Sequence, residues 1–121
     1  MIEINKNIQS SIYIQIEDAV QNDILSGNLQ PGQKVPSVRE VAKHNGINPN
    51  TVQKAYAELI EKGILFSVSG KGNYVTPEAG EIRNNEKNQI LSDLRETAKR
   101  AKTAGIWMDE LFSVLDSAYN D

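Results

Sequence analysis

Cysteine is absent from the 121 residues. That removes disulfides, thiolate zinc sites and cysteine nucleophiles, and it suits a reducing cytoplasm. Histidine is nearly absent too: His44 stands alone, with no cysteine or carboxylate pattern around it, so no metal or other cofactor is expected. No apolar run approaches the roughly 20 residues needed to cross a bilayer. The start, "MIEINKNIQSS", lacks a basic segment followed by a long apolar one, so no secretory signal is read. A cytoplasmic chain without a membrane partner is the expectation. Also missing are a nucleophile–base pair, a phosphate loop and an H-E-x-x-H spacing. The adjacent carboxylates Glu17–Asp18 and Asp109–Glu110 read as solvated helix faces, and an enzyme is not expected.

Positive charge is scarce overall, with a net charge of −3, which argues at first against a nucleic-acid partner. The distribution decides otherwise. Residues 1–77 carry seven basic side chains (Lys6, Lys34, Arg39, Lys43, Lys54, Lys62, Lys71) and seven acidic ones. Residues 78–121 carry six and nine, so the negative excess sits wholly in the C-terminal part. From Lys34 to Lys54 four cations face one acid, Glu40. A local basic face is possible on an acidic chain.

What is present is helical periodicity, interrupted at well-marked points. Ile12, Ile16, Ala19, Val20 and Ile24 form one stripe, with Ser10 or Ser11 as cap and Gly27 at the end. "NLQPGQKVP" is a connector. In "SVREVAKHNG", Ser37 and Glu40 make a capping box and Gly46 stops the helix. The next helix takes Asn48 as N-cap and Pro49 as its first residue, and runs to about Lys62 before Gly63. Two β-rich runs, "ILFSV" and "NYV", flank the four residues "SGKG" and predict a β-hairpin. The fold class expected is mostly α with a small hairpin: a winged helix-turn-helix over residues 1–77. Residues 78–121 then predict a two-helix segment, from about Gly80 to Lys102 and from Met108 to Tyr119, broken at Gly105. Its stripes hold Ile90, Leu91, Leu94, Ala98 and Ala101, then Leu111, Val114, Leu115 and Ala118. Such stripes need a partner, either the winged domain or a second copy of the chain.

The helix opening at "INPNTVQKAY" carries the functional signal. Asn48, Asn50, Thr51 and Gln53 crowd short donors and acceptors into its first turns. In a helix-turn-helix this turn enters the DNA major groove. Asn and Gln can bond adenine there, and Thr can reach a base or a phosphate. Lys54 suits the adjacent backbone. Asn48 and Thr51 could equally be capping groups. Arg39 could reach guanine or phosphate, or pair locally with Glu40. Ser69, Gly70, Lys71 and Gly72 form a hairpin tip able to approach a backbone closely, or an ordinary turn. With Lys34, Ser37 and Lys43 these residues make up the candidate DNA-binding set. Trp107 joins Ile90, Leu91, Leu94, Ala98, Leu111 and Leu115 as the candidate self-association set. A protein-interaction module is the alternative class, since fold alone does not fix function.

The run Leu29 to Val75, with its Pro-Gly connector, "PSVRE", Asn50-Thr51-Val52, "AY" closing on Gly63, and "GKG", resembles the DNA-binding domain of the GntR family of bacterial regulators. The resemblance implies a homodimer on an inverted-repeat operator in double-stranded DNA. By position, Arg39 matches a base- or phosphate-contacting arginine, Thr51 the recognition-helix threonine, and Gly70 the wing glycine. Pro49 and Gln53 depart from the basic residues common at those places, which implies weaker phosphate anchoring and a different operator. "NPNTV" with the short tail is similar to the YtrA-type subgroup. That likeness implies dimerisation through the tail and repression of a transporter operon that includes the regulator's own gene. The sequence assigns no effector. About 44 residues hardly enclose a pocket of ~300–1,000 Å³ within one subunit.

Overall fold

The computed structural model describes residues 2–7 and 11–121. They form two compact units, residues 1–83 and 84–121.

In the first unit, α1 (Ile12–Ser26) buries Ile16, Val20 and Ile24, and Gly27 closes it at φ 87°. Ser11 occupies the N-cap position, but its side chain makes no capping bond. Ser10 lies outside the described residues. The predicted capping box opens α2 (Val38–Asn45): Glu40 N–H donates to Ser37 Oγ and Ser37 N–H to Glu40 Oε1, both at 3.1 Å. The Ser37 backbone N–H in turn holds the Glu40 carboxyl below its ordinary range. Gly46, at φ 62°, ends α2. In α3 (Pro49–Glu61), Asn48 accepts from Asn50 N–H at 2.9 Å and Pro49 fills the first position. Val52, Ala55, Tyr56 and Leu59 are buried along one face. Tyr56 Oη donates to Pro36 O at 2.6 Å, tying α3 to the connector. Burial, with the nearby Glu40 charge, pushes that phenol far above its usual range, so it remains a donor.

The hairpin pairs β1 (Leu65–Val68) with β2 (Gly72–Val75) antiparallel, in the register Leu65↔Val75 to Val68↔Gly72. The sequence suggests a four-residue turn. Gly72 instead pairs with Val68, leaving a three-residue loop closed by Lys71 N–H donating to Val68 O at 2.9 Å. The connector is also more than a loop. Gly32 N–H donates to Val75 O, Val75 N–H to Gln33 O and Val35 N–H to Asn73 O, at 2.8–3.0 Å. This isolated β-bridge, centred on Lys34 and Tyr74, covers the outer edge of β2 and gives its donors and acceptors partners.

Glu17 corrects the expectation of a solvated face. It is 6% exposed, and Oε1 has no hydrogen-bond partner among the described residues. Desolvation, followed by a hydrogen bond with the Glu58 carboxyl, raises its pKa; Lys62 opposes this. The folded chain therefore holds this proton to higher pH than the unfolded chain does. The stability linked to it is complete below the ordinary value of 4.5 and is lost as pH rises through the raised value. Glu17→Gln keeps the shape and supplies a permanent donor to Glu58. It should stabilise the fold by about 1–2 kcal/mol near neutral pH. The gain should vanish in acid, which thermal melts across the pH range would reveal; equal stability at all pH values would refute the shared proton.

The long helix α4 (Ala79–Thr103) starts within the first unit, where Ala79 is buried in the core and Arg83 Nε donates to Ile24 O at 3.1 Å. A guanidinium at the carbonyl end of α1 also complements the helix dipole. In the second unit, Gly105 (φ 78°) ends α4, and α5 (Met108–Tyr119) follows. Helix α5 has no buried residue. Trp107 is 75% exposed.

Candidate nucleic-acid interface

The first turns of α3 present an exposed polar face because the opposite face is consumed by the core. With Val52, Ala55 and Tyr56 turned inward, Asn50, Gln53 and Lys54 are left exposed at i, i+3 and i+4, so they adjoin on one surface. Asn48 does cap the helix, as the plainer reading held. Thr51 is half-buried and shares a cleft of about 510 Å³ with Ser11, Ile12, Tyr13, Asn50 and Lys54. The Lys54 ammonium stands 4.0 Å from the centre of the Tyr13 ring. This cation–π contact orients a charge beside the recognition turn.

On α2, Ser37 is committed to the capping box. Arg39 and Lys43 are exposed, and among the described residues no ion pair with Glu40 or any other acid engages Arg39. The local pairing weighed from sequence is thus not what the structure adopts.

At the hairpin, Ser69, Gly70 and Lys71 form the exposed tip, and Gly70 takes φ 75° with open space where a Cβ would stand. Lys34 belongs with the wing: its backbone bridges Tyr74, and its side chain crosses Gly72. A Cβ on Gly72 would stand 2.9 Å from Lys34 Cε, at a backbone φ of 117°. The lysine tail can move aside, but the backbone conformation cannot be relieved that way. Gly72→Ala should lower stability by about 1–2 kcal/mol. A denaturant midpoint unchanged by this substitution would show that the strand end readily takes another conformation.

Sequence reasoning missed Tyr13, a half-buried aromatic beside the α1 stripe, whose off-stripe position was the available signal. It also missed the N-terminal segment. Ile2 is buried in the core, Ile4 N–H donates to Asn45 Oδ1, and Asn45 Nδ2 donates to Ile2 O. His44 Nε2 lies 2.7 Å from Glu3 Oε1.

These features lie within a helix-turn-helix and wing whose match to known proteins is extensive. The sequence description of bacterial regulatory proteins of the gntR family matches residues 12–75. The chain belongs to the GntR family. The regulator is 36% identical over 112 residues to the transcriptional repressor YtrA of Bacillus subtilis, spanning 92% of this chain and 86% of that one. Its short two-helix tail, together with this near full-length match, places it with the YtrA type. The structure is similar to a GntR family transcriptional regulator from Listeria monocytogenes at TM-score 0.70, with 31% identity over 92% of this chain and 97% of the other. It is also similar to the DNA-binding domain of AraR in complex with operator ORE1, at TM-score 0.54 and 29% identity, covering 60% and 89% of the two chains. The regulator has the winged helix-turn-helix fold and is not an enzyme. No described helix is long and apolar enough to cross a membrane.

In the second unit the candidate self-association residues are open. Ile90 (55%), Leu91, Leu94, Trp107 and Leu115 are exposed, and Ala98 and Leu111 are half-buried. Met108, Phe112 and Tyr119, left out of the sequence-based set, are exposed as well. Phe112 and Tyr119 adjoin Leu115 on α5 and Met108 lies two turns before it on the same face, so the apolar arc is broader than the sequence-based set allows.

Proposed function

We propose that this regulator is a homodimeric, sequence-specific repressor that binds an inverted-repeat operator in double-stranded DNA. The observation carrying the proposal is the exposed polar surface of Asn50, Gln53 and Lys54 at the first turns of α3, with Arg39 exposed on the preceding helix and in no ion pair among the described residues. Arg39, Asn50, Thr51 and Gln53 read bases. Lys34, Lys43, Lys54 and Lys71 hold phosphates, and Gly70 lets the wing approach the backbone closely. Residues 1–77 supply DNA binding and residues 78–121 supply the dimer. The operator complex of the AraR domain supports the mode of engagement, and the likeness to YtrA supports repression. Consistent with the YtrA-type resemblance, the target is an operon holding a transporter and the regulator's own gene.

The test is affinity selection of fragmented genomic DNA on the purified protein, followed by sequencing. An enriched inverted repeat is the expected outcome. A folded dimer that enriches nothing at low salt would overturn the proposal in favour of a protein-binding module.

A further inference from the structure

The segment from Ile2 to Lys6 is fixed to the helix-turn-helix more firmly than a chain terminus ordinarily is. Ile2 is 4% exposed. The Asn45 side chain clamps the strap from both sides, accepting from Ile4 N–H at 3.0 Å and donating to Ile2 O at 2.9 Å. Gln15 of α1 clamps Asn5 in the same manner, accepting from its N–H at 2.9 Å and donating to its carbonyl at 3.0 Å. The strap thereby delivers Lys6 to one spot: Nζ donates to Gly46 O at 3.1 Å. Gly46 ends α2, and Asn48, two residues on, opens the recognition helix.

One hydrogen bond uses one of the three ammonium donors. Among the described residues no acid pairs with Lys6; the strap's own acid, Glu3, is engaged by His44. At the C-cap of α2 the ammonium also complements the helix dipole, as Arg83 does for α1. No acid neutralises it among the described residues, so its charge stays available to an anion at the junction of α2 and α3.

We propose that the N-terminal strap is a DNA-contacting element that holds the Lys6 ammonium against a backbone phosphate beside the recognition helix. The inference rests on the DNA-binding reading above and adds to it a cation from outside the helix-turn-helix and wing. The strap makes the contact fixed rather than loosely tethered, so little side-chain freedom is lost on binding.

Lys6→Gln tests the charge while retaining a donor for Gly46. Phosphate contacts ignore sequence, so a labelled duplex of mixed sequence, long enough for two half-sites, is a sufficient probe. Its affinity is measured against salt concentration for parent and variant. The logarithmic slope should fall by about 0.9 per protomer, equivalent to about eightfold weaker binding per protomer at ~0.1 M salt relative to 1 M. The melting temperature should fall by no more than a few degrees, since only the modest helix-dipole contribution of the charge is lost. Asn45→Ala, which releases the strap, should lower the slope to the same extent, and adding Lys6→Gln to it should lower it no further. An unaltered slope in Lys6→Gln overturns the inference even if Asn45→Ala proves too unstable to study. A parent protein without salt-sensitive binding would instead remove the DNA-binding reading, and this inference with it.

Discussion

Leu94→Asp and Leu115→Asp should each convert the protein to monomers and abolish operator binding. The second unit buries no large apolar side chain. Helix α5 buries none of its residues, and Trp107 and Tyr119 are 75% and 88% exposed. Apolar surface of this extent on two charged helices marks an interface. Alone, residues 84–121 cannot recover the entropy of ordering two helices. In the proposed homodimer a second copy presents the same surface, and a two-fold arrangement would cover both at once. By that symmetry each substitution places two carboxylates in the covered interface. At about 3 kcal/mol or more for each buried unpaired charge, the dimer dissociation constant rises by roughly four orders of magnitude. Operator affinity follows, because joining two half-site readers is worth about 10²–10⁴ in avidity. Light scattering at micromolar concentration measures the first effect and operator titration the second. A persistent dimer in both variants would place the interface elsewhere.

How much of the molecule was legible in the sequence depends on how far apart the interacting residues are. The helix-turn-helix was readable because its signals are local. Ser37 and Glu40 are three residues apart, Asn48 and Pro49 are adjacent, and Gly46 and Gly63 mark their turns by backbone geometry. Most of the features missed are non-local. The connector bridges β2 by pairing with residues about 40 positions away. Its only local hint was Val35 between Lys34 and Pro36. Glu17 looked solvated because Asp18 beside it is, but a helix turns about 100° per residue, and that rotation carries Glu17 onto the face packed against α3. The strap was opaque for the same reason: Ile2 and Ile4 alternate as a strand does, yet their partner Asn45 stands over 40 residues on. The polar turn of α3 was legible as a surface, since its buried face could be phased from Val52, Ala55, Tyr56 and Leu59. Tyr13 under Lys54 was not, because that pair joins two helices.

Arg39→Ala should weaken operator binding strongly while leaving the fold intact. The guanidinium is exposed and no ion pair engages it among the described residues, so its removal should change stability by less than about 0.5 kcal/mol. On DNA the same absence of internal partners leaves all five donors available. If the fork meets a guanine, each half-site loses about 1–3 kcal/mol, and the dimer loses that twice. Operator affinity then falls by roughly 30-fold to 10⁴-fold, and binding to unrelated duplexes hardly changes. If the fork meets a phosphate, affinity falls equally on all sequences, and the salt slope drops by about 0.9 per protomer. Titrating operator and a scrambled duplex at several salt concentrations separates the two roles in one experiment. Thr51→Ala run beside it should show the sequence-dependent pattern, as a half-buried hydroxyl in the groove turn carries no charge to release counterions. Unchanged operator affinity in both variants would mean that the recognition surface lies outside α2 and the first turns of α3. The wing and the N-terminal strap would then be left as the elements that engage DNA.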